Sequence, residues 1–126
     1  MTILPTDSEE RKKIPLFSGP MSYFPRTMAA VARVCYIGNE KHNPGEPLHW
    51  AREKSSDHTD CILRHLVDAH EKTAVSPCGA KLGIAVDPKT GIPEAVFAAW
   101  RAFAHAELVL EHLASITNGS ISKVDK

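Results

Sequence analysis

The segment PEAVFAAWRAFAHAELVLEHLASI, Pro93 to Ile116, constrains the fold of this 126-residue chain more than any other stretch. Pro93 and Glu94 suit a first helical turn, and about six turns of Ala, Leu, Phe and Trp follow before Asn118-Gly119, a helix-stopping pair. Placed at 100° per residue, the helix is apolar almost all round, interrupted by Arg101, His105, Glu107, Glu111 and His112. Such a helix is buried by several neighbours, and one small chain supplies too few of them. The segment therefore predicts an all-α helical bundle completed by oligomerisation, as a homodimer or homotetramer.

Two more helices are expected. From Pro25, the residues Met28, Val31, Ala32 and Cys35 recur at helical spacing up to Gly38. A second helix runs from an N-cap at Ser55 or Ser56 to about His70. Between them Gly38, Asn43, Pro44, Gly45 and Pro47 predict an ordered loop anchored by Trp50, and loops of that length in compact domains are often functional. LGIAV, residues 82–86, reads as a short strand and DPKTG, residues 87–91, as a turn. The expected organisation is a lead-in over residues 1–22, extended in form, one domain over 23–117 and a flexible tail over 118–126.

Equal numbers of basic and acidic residues, 15 each, exclude a nucleic-acid clamp, which needs a cationic surplus. Cys35, Cys61 and Cys78 form no CxxC pair and predict a reducing, cytoplasmic setting. No apolar run is long enough for a membrane span, so no membrane partner is expected.

Charge is nevertheless concentrated. Between Gly38 and Lys72 lie five of the seven histidines and seven of the 15 acids. On the second helix Asp57, Asp60, Arg64, Asp68 and Glu71 fall along one stripe, with Ile62, Leu63 and Leu66 opposite and His65 at the border. Charged stripes ordinarily face water. Here the adjoining loop adds Glu40, His42, Trp50 and Lys54, which points to a shared metal and anion site. Mg²⁺ and Mn²⁺ favour carboxylates, waters and substrate phosphates, and Glu40, Asp60 and Asp68 can supply the carboxylates. His65 with Asp68 at i, i+3 is spaced to share an ion. Arg64, Lys54 and Arg101 can offset charge developing on phosphoryl oxygens. Trp50 has two roles open to it, plugging the core or stacking on a purine.

The motifs GNEKHNPGEPLHW, KSSDHTDCILRHLVDA and AAWRAFA, residues 38–104, resemble the phage dATP/dGTP diphosphohydrolase group, a MazG-like branch of the all-α NTP pyrophosphohydrolases that includes the MazZ type, and the resemblance covers roughly residues 21–113. The resemblance implies a MazG-like bundle that cleaves a purine deoxynucleoside triphosphate, dGTP or GTP first, between the α and β phosphates with Mg²⁺ or Mn²⁺. In MazZ-type members the product feeds 2-aminoadenine nucleotide synthesis in a phage. The matches imply roles for Glu40, His42, Trp50, Asp57, Asp60, Arg64, His65, Asp68 and Arg101, with Glu107 available to complete the metal set. The chain departs from the ExxE and ExxD pairs of MazG proteins, which leaves the choice of ligand carboxylates open.

Two alternatives compete. An HD-type phosphohydrolase would need an adjacent His-Asp pair, whereas this chain carries the reverse order, Asp57-His58. A non-catalytic nucleotide-binding or scaffold oligomer would use the same polar residues without turnover.

Overall fold

The computed structural model describes residues 3–120, with side chains up to residue 117; the outer part of the expected tail, from residue 121, lies outside the described residues. The lead-in is not wholly extended. It holds a single-turn helix, α1 (Ser8–Arg11), capped by Asp7, whose Oδ2 accepts the Glu10 N–H at 3.1 Å, and a π-helical turn, Phe17–Met21. Three main helices follow as expected: α2 (Pro25–His42), α3 (His58–Ala69) and α4 (Glu94–Ser120).

Pro25 opens α2 because its fixed φ and missing N–H suit a first turn. The helix does not stop at Gly38. It continues one turn to Asn43, whose N–H donates to the Asn39 carbonyl at 2.7 Å, and breaks where Pro44 and Gly45 follow. Glu40 and His42, expected in a loop, therefore sit on the last turn of α2. The N-cap of α3 is Asp57 rather than either serine; Ser55 Oγ instead donates to Asp57 Oδ1 at 2.9 Å.

After α3 the chain makes a small antiparallel hairpin, β1 (Thr73–Val75) with β2 (Lys81–Gly83), in register Thr73↔Gly83 and Val75↔Lys81. The expected strand at residues 82–86 is thus shifted towards the N-terminus, and Val86 forms only an isolated bridge with Pro93. The hairpin lies tightly against the end of α3. A Cβ on Gly83 would come within 2.7 Å of His70 Nδ1 and 2.9 Å of the Ala69 carbonyl carbon, so only glycine permits this approach.

α4 packs along α3 and meets α2 where Trp100 Nε1 donates to Cys35 Sγ at 3.4 Å. The helix passes through Asn118-Gly119 to Ser120. Its neighbours cover it only in part. The buried apolar residues are Val31, Cys61, Ala69, Ile92, Ala98 and Ala104, and no large side chain among the described residues is fully buried. Phe103 is 50% exposed and Leu110 62%, with Val109, Leu113 and Ile116 also exposed. None of the described helices is long and apolar enough to cross a membrane.

Candidate functional site

A cavity of about 700 Å³ opens between the C-terminal half of α2, the loop before α3, the inner face of α3, the DPKTG turn and the first turns of α4. Small-molecule sites typically enclose roughly 300–1,000 Å³. Its size suits a ligand much larger than a free ion.

The loop is held in place by two buried amides, Asn39 and Asn43, each 7% exposed. Asn43 Nδ2 donates to Asn39 Oδ1 at 3.0 Å and to the His49 carbonyl at 3.2 Å. Asn39 Nδ2 donates to the Glu46 carbonyl at 3.0 Å, while its Oδ1 also accepts the His49 N–H at 3.2 Å. Buried amides satisfied in this way convert an irregular segment into a fixed wall. On that wall Trp50 meets Trp100 edge to face, with ring centroids 6.1 Å apart, and Arg52 lies over the Trp50 ring at 4.3 Å. Arg52 is tied in turn to α4 by two bonds to Glu111, at 2.6 and 2.9 Å, which hold the Glu111 carboxyl below its usual range.

Behind the tryptophans lies His58, 5% exposed, its ring 6.5 Å from Trp50 and 6.2 Å from Trp100. Arg101 Nη1 donates to its Nδ1 at 3.1 Å and to Ser55 Oγ at 2.5 Å. A guanidinium can only donate, so Nδ1 is the acceptor and the ring hydrogen sits on Nε2. Nε2 is buried and has no hydrogen-bond partner among the described residues. Burial, and secondarily the Arg101 charge, push the imidazole below its ordinary range and keep it neutral.

The turn closes the far side. Asp87 Oδ2 accepts the Thr90 N–H at 3.1 Å and the Thr90 hydroxyl at 2.7 Å, and the hydroxyl bond is the main reason its carboxyl is held below its usual range. Gly91, at φ +74°, allows the chain to turn back towards Ile92, whose carbonyl accepts the Asp87 N–H at 2.9 Å.

The cavity wall brings together five of the sequence-expected residues: His42, Trp50, Lys54, His65 and Arg101. It does not include Glu40, Asp57, Asp60, Arg64, Asp68 or Glu107. All six are exposed. Asp57 approaches Arg101 at 4.0 Å and Arg64 at 3.4 Å, and the Ser55 hydroxyl and Arg64 hold its carboxyl below the usual range. The expected convergence of Glu40 with Asp60 and Asp68 is not present: among the described residues, no three His, Cys, Asp or Glu side chains gather as metal ligands. Glu40 stands on the end of α2, and Asp60 and Asp68 face outward from α3.

Sequence reasoning missed Lys41, Lys89, Asp87, His58 and Glu94. The Asn39-Asn43 spacing, i to i+4 at a helix end, and the Asp-x-x-Thr-Gly turn were readable signals for a shaped wall. The wall as built carries Lys41, Lys54, Lys89 and Arg101 against one carboxylate, Asp87, already committed to Thr90. Cations around two indoles suit a ligand that joins a compact polyanion to a flat aromatic body.

The family model described as dATP/dGTP diphosphohydrolase, N-terminal, matches residues 6–115. No curated protein and no solved structure matches the chain significantly.

Proposed function

The chain belongs to the dATP/dGTP diphosphohydrolase N-terminal family, and from that premise we propose that it hydrolyses a purine deoxynucleoside triphosphate, dGTP ahead of dATP, to the monophosphate and pyrophosphate inside this cavity. One observation carries the reading: four cationic side chains and two indoles line a single space that has only one, already bonded, carboxylate. The triphosphate takes the lysines and Arg101, and the purine takes the Trp50 and Trp100 surfaces. Arg101 is bound to Ser55 and His58 before any ligand arrives, so its charge meets the phosphates without reorganising.

Among the described residues the acids expected to hold a divalent cation are exposed and no three of them gather, so a cage built from this chain's carboxylates alone has no support here. Mg²⁺ or Mn²⁺ enters this proposal as the counter-ion of the substrate phosphates. The oligomer belongs to it as well. Phe103, Leu110 and Leu113 on α4, each about half exposed, offer apolar surface to a second copy, and covering the exposed half of each is worth roughly 1 kcal/mol, about half of the value for full burial.

Incubation with the eight common NTPs and dNTPs in Mg²⁺, followed by separation of products, tests the reading. Monophosphate and pyrophosphate should appear together, fastest from dGTP. Saturable binding without any product would overturn hydrolysis and leave a nucleotide-binding module.

A further inference from the structure

His65 and Glu94 form a pair that the reading above does not use. His65 comes from the middle of α3 and Glu94 opens α4, 29 residues later. His65 Nδ1 and Glu94 Oε1 lie 2.8 Å apart, with side chains 27% and 15% exposed. A carboxylate can only accept, so Nδ1 carries the hydrogen, and in the neutral ring the lone pair is then on Nε2. The ring is also stacked on Phe97, with centroids 5.3 Å apart and planes at 24°. Glu94 thus fixes the tautomer while Phe97 fixes the plane.

His65 and Phe97 lie on the cavity wall and Glu94 does not; with Nδ1 taken up by Glu94, Nε2 is the ring nitrogen left to meet a ligand there. His58 is the reverse case. Its Nδ1 accepts from Arg101, and its Nε2 is enclosed and carries the hydrogen. Of these two imidazoles, only His65 offers the cavity a basic nitrogen.

We propose that His65 is the general base of the hydrolysis, with Glu94 as its positioning residue; this rests on the cavity being where the triphosphate is cleaved. His65 Nε2 takes one proton from a water molecule as the water oxygen bonds to the α-phosphorus. The bond from that phosphorus to the α–β bridging oxygen breaks, and pyrophosphate leaves with the electron pair. The imidazolium, next to the Glu94 carboxylate, then returns its proton to solvent. Water has supplied the new oxygen of the monophosphate, and one proton is released.

Steady-state kinetics on dGTP with the full chain, together with ¹⁵N spectra of its histidines, test the pair. His65→Gln, which keeps most of the bulk, should lower kcat about 100-fold or more, the usual range for a lost general base, and change KM little. His65→Ala should regain part of its kcat when imidazole is added. The Mg²⁺ concentration needed for half activity should stay at the wild-type value in both variants. Glu94→Gln should lower kcat more than it raises KM, and should weaken the preference of His65 for carrying hydrogen on Nδ1. Wild-type kcat in His65→Gln, a raised Mg²⁺ requirement in that variant, or a wild-type spectrum with the His65 hydrogen on Nε2 would each overturn the base role alone. A wild-type chain that releases no pyrophosphate would overturn the hydrolysis itself, and the spectrum would still report the tautomer.

Discussion

The cavity wall and the outer stripe of α3 both draw on the stretch Gly38 to Lys72, the wall also taking Lys89 from the turn and Arg101 from α4, yet their charges stand in different surroundings. On the wall, Arg101 is partly buried, bonded to Ser55 and His58, and backed by Trp100. On the stripe, Asp57 and Arg64 meet at 3.4 Å in the open, while Asp60 and Asp68 are exposed. Interactions of exposed charges are screened by water and salt, whereas those of a charge held by neighbours in a less polar recess are weakened far less. A carboxylate-rich segment therefore need not be a carboxylate-lined site. What matters is which side of each helix faces the enclosed space.

The largest effect that would sharpen this contrast is at Arg101. Arg101→Gln should lower kcat/KM for dGTP at least about 100-fold, the scale of losing a preorganised donor to a charged oxygen, with helical content by circular dichroism unchanged. Trp50→Ala should come next. Base stacking on an aromatic side chain is worth about 1–3 kcal/mol, so KM should rise roughly 5- to 150-fold while kcat changes less. Asp60→Asn and Asp68→Asn should stay within about threefold of wild type, since isolated exposed charges contribute little. A collapse of activity in either would break the comparison and return the site to the stripe.

A smaller effect concerns stability. Burial holds His58 neutral, with its pKa below the ordinary 6.5, while in the unfolded chain it protonates normally. As pH falls below about 6.5 the unfolded state takes up a proton that the folded state resists, so stability declines until the folded pKa is passed and then levels off. Arg101, Asp57 and His105 all act on this group, Asp57 opposing the shift. Urea midpoints at pH 7.5 and 5.5 should differ less in His58→Gln than in the wild type.

The long helix was legible in the sequence because Pro93-Glu94 and six apolar turns all favour one state. The three-helix plan was legible for the same reason. The end of α2 was not, since Gly38 looks like a stop until the side chains of Asn39 and Asn43 are seen to hold the incoming loop one turn later. The site was half legible. His42, Trp50, Lys54, His65 and Arg101 reach the cavity, but the acids between them on α3 point outward, and periodicity identifies a stripe without saying what it faces. Glu94 reads locally as a first-turn residue of α4; its bond to His65 exists only once α3 and α4 lie side by side.

Trp50 and Trp100 are the only two tryptophans of the chain, and both lie on the cavity wall. Intrinsic fluorescence during titration with α,β-methylene dGTP therefore reports this cavity directly. A saturable change that persists in Asp60→Asn and Asp68→Asn and disappears in Arg101→Gln is the predicted result. Nucleotide that binds with the fluorescence unaltered, or binding lost with either stripe carboxylate, would contradict a nucleotide site in the cavity.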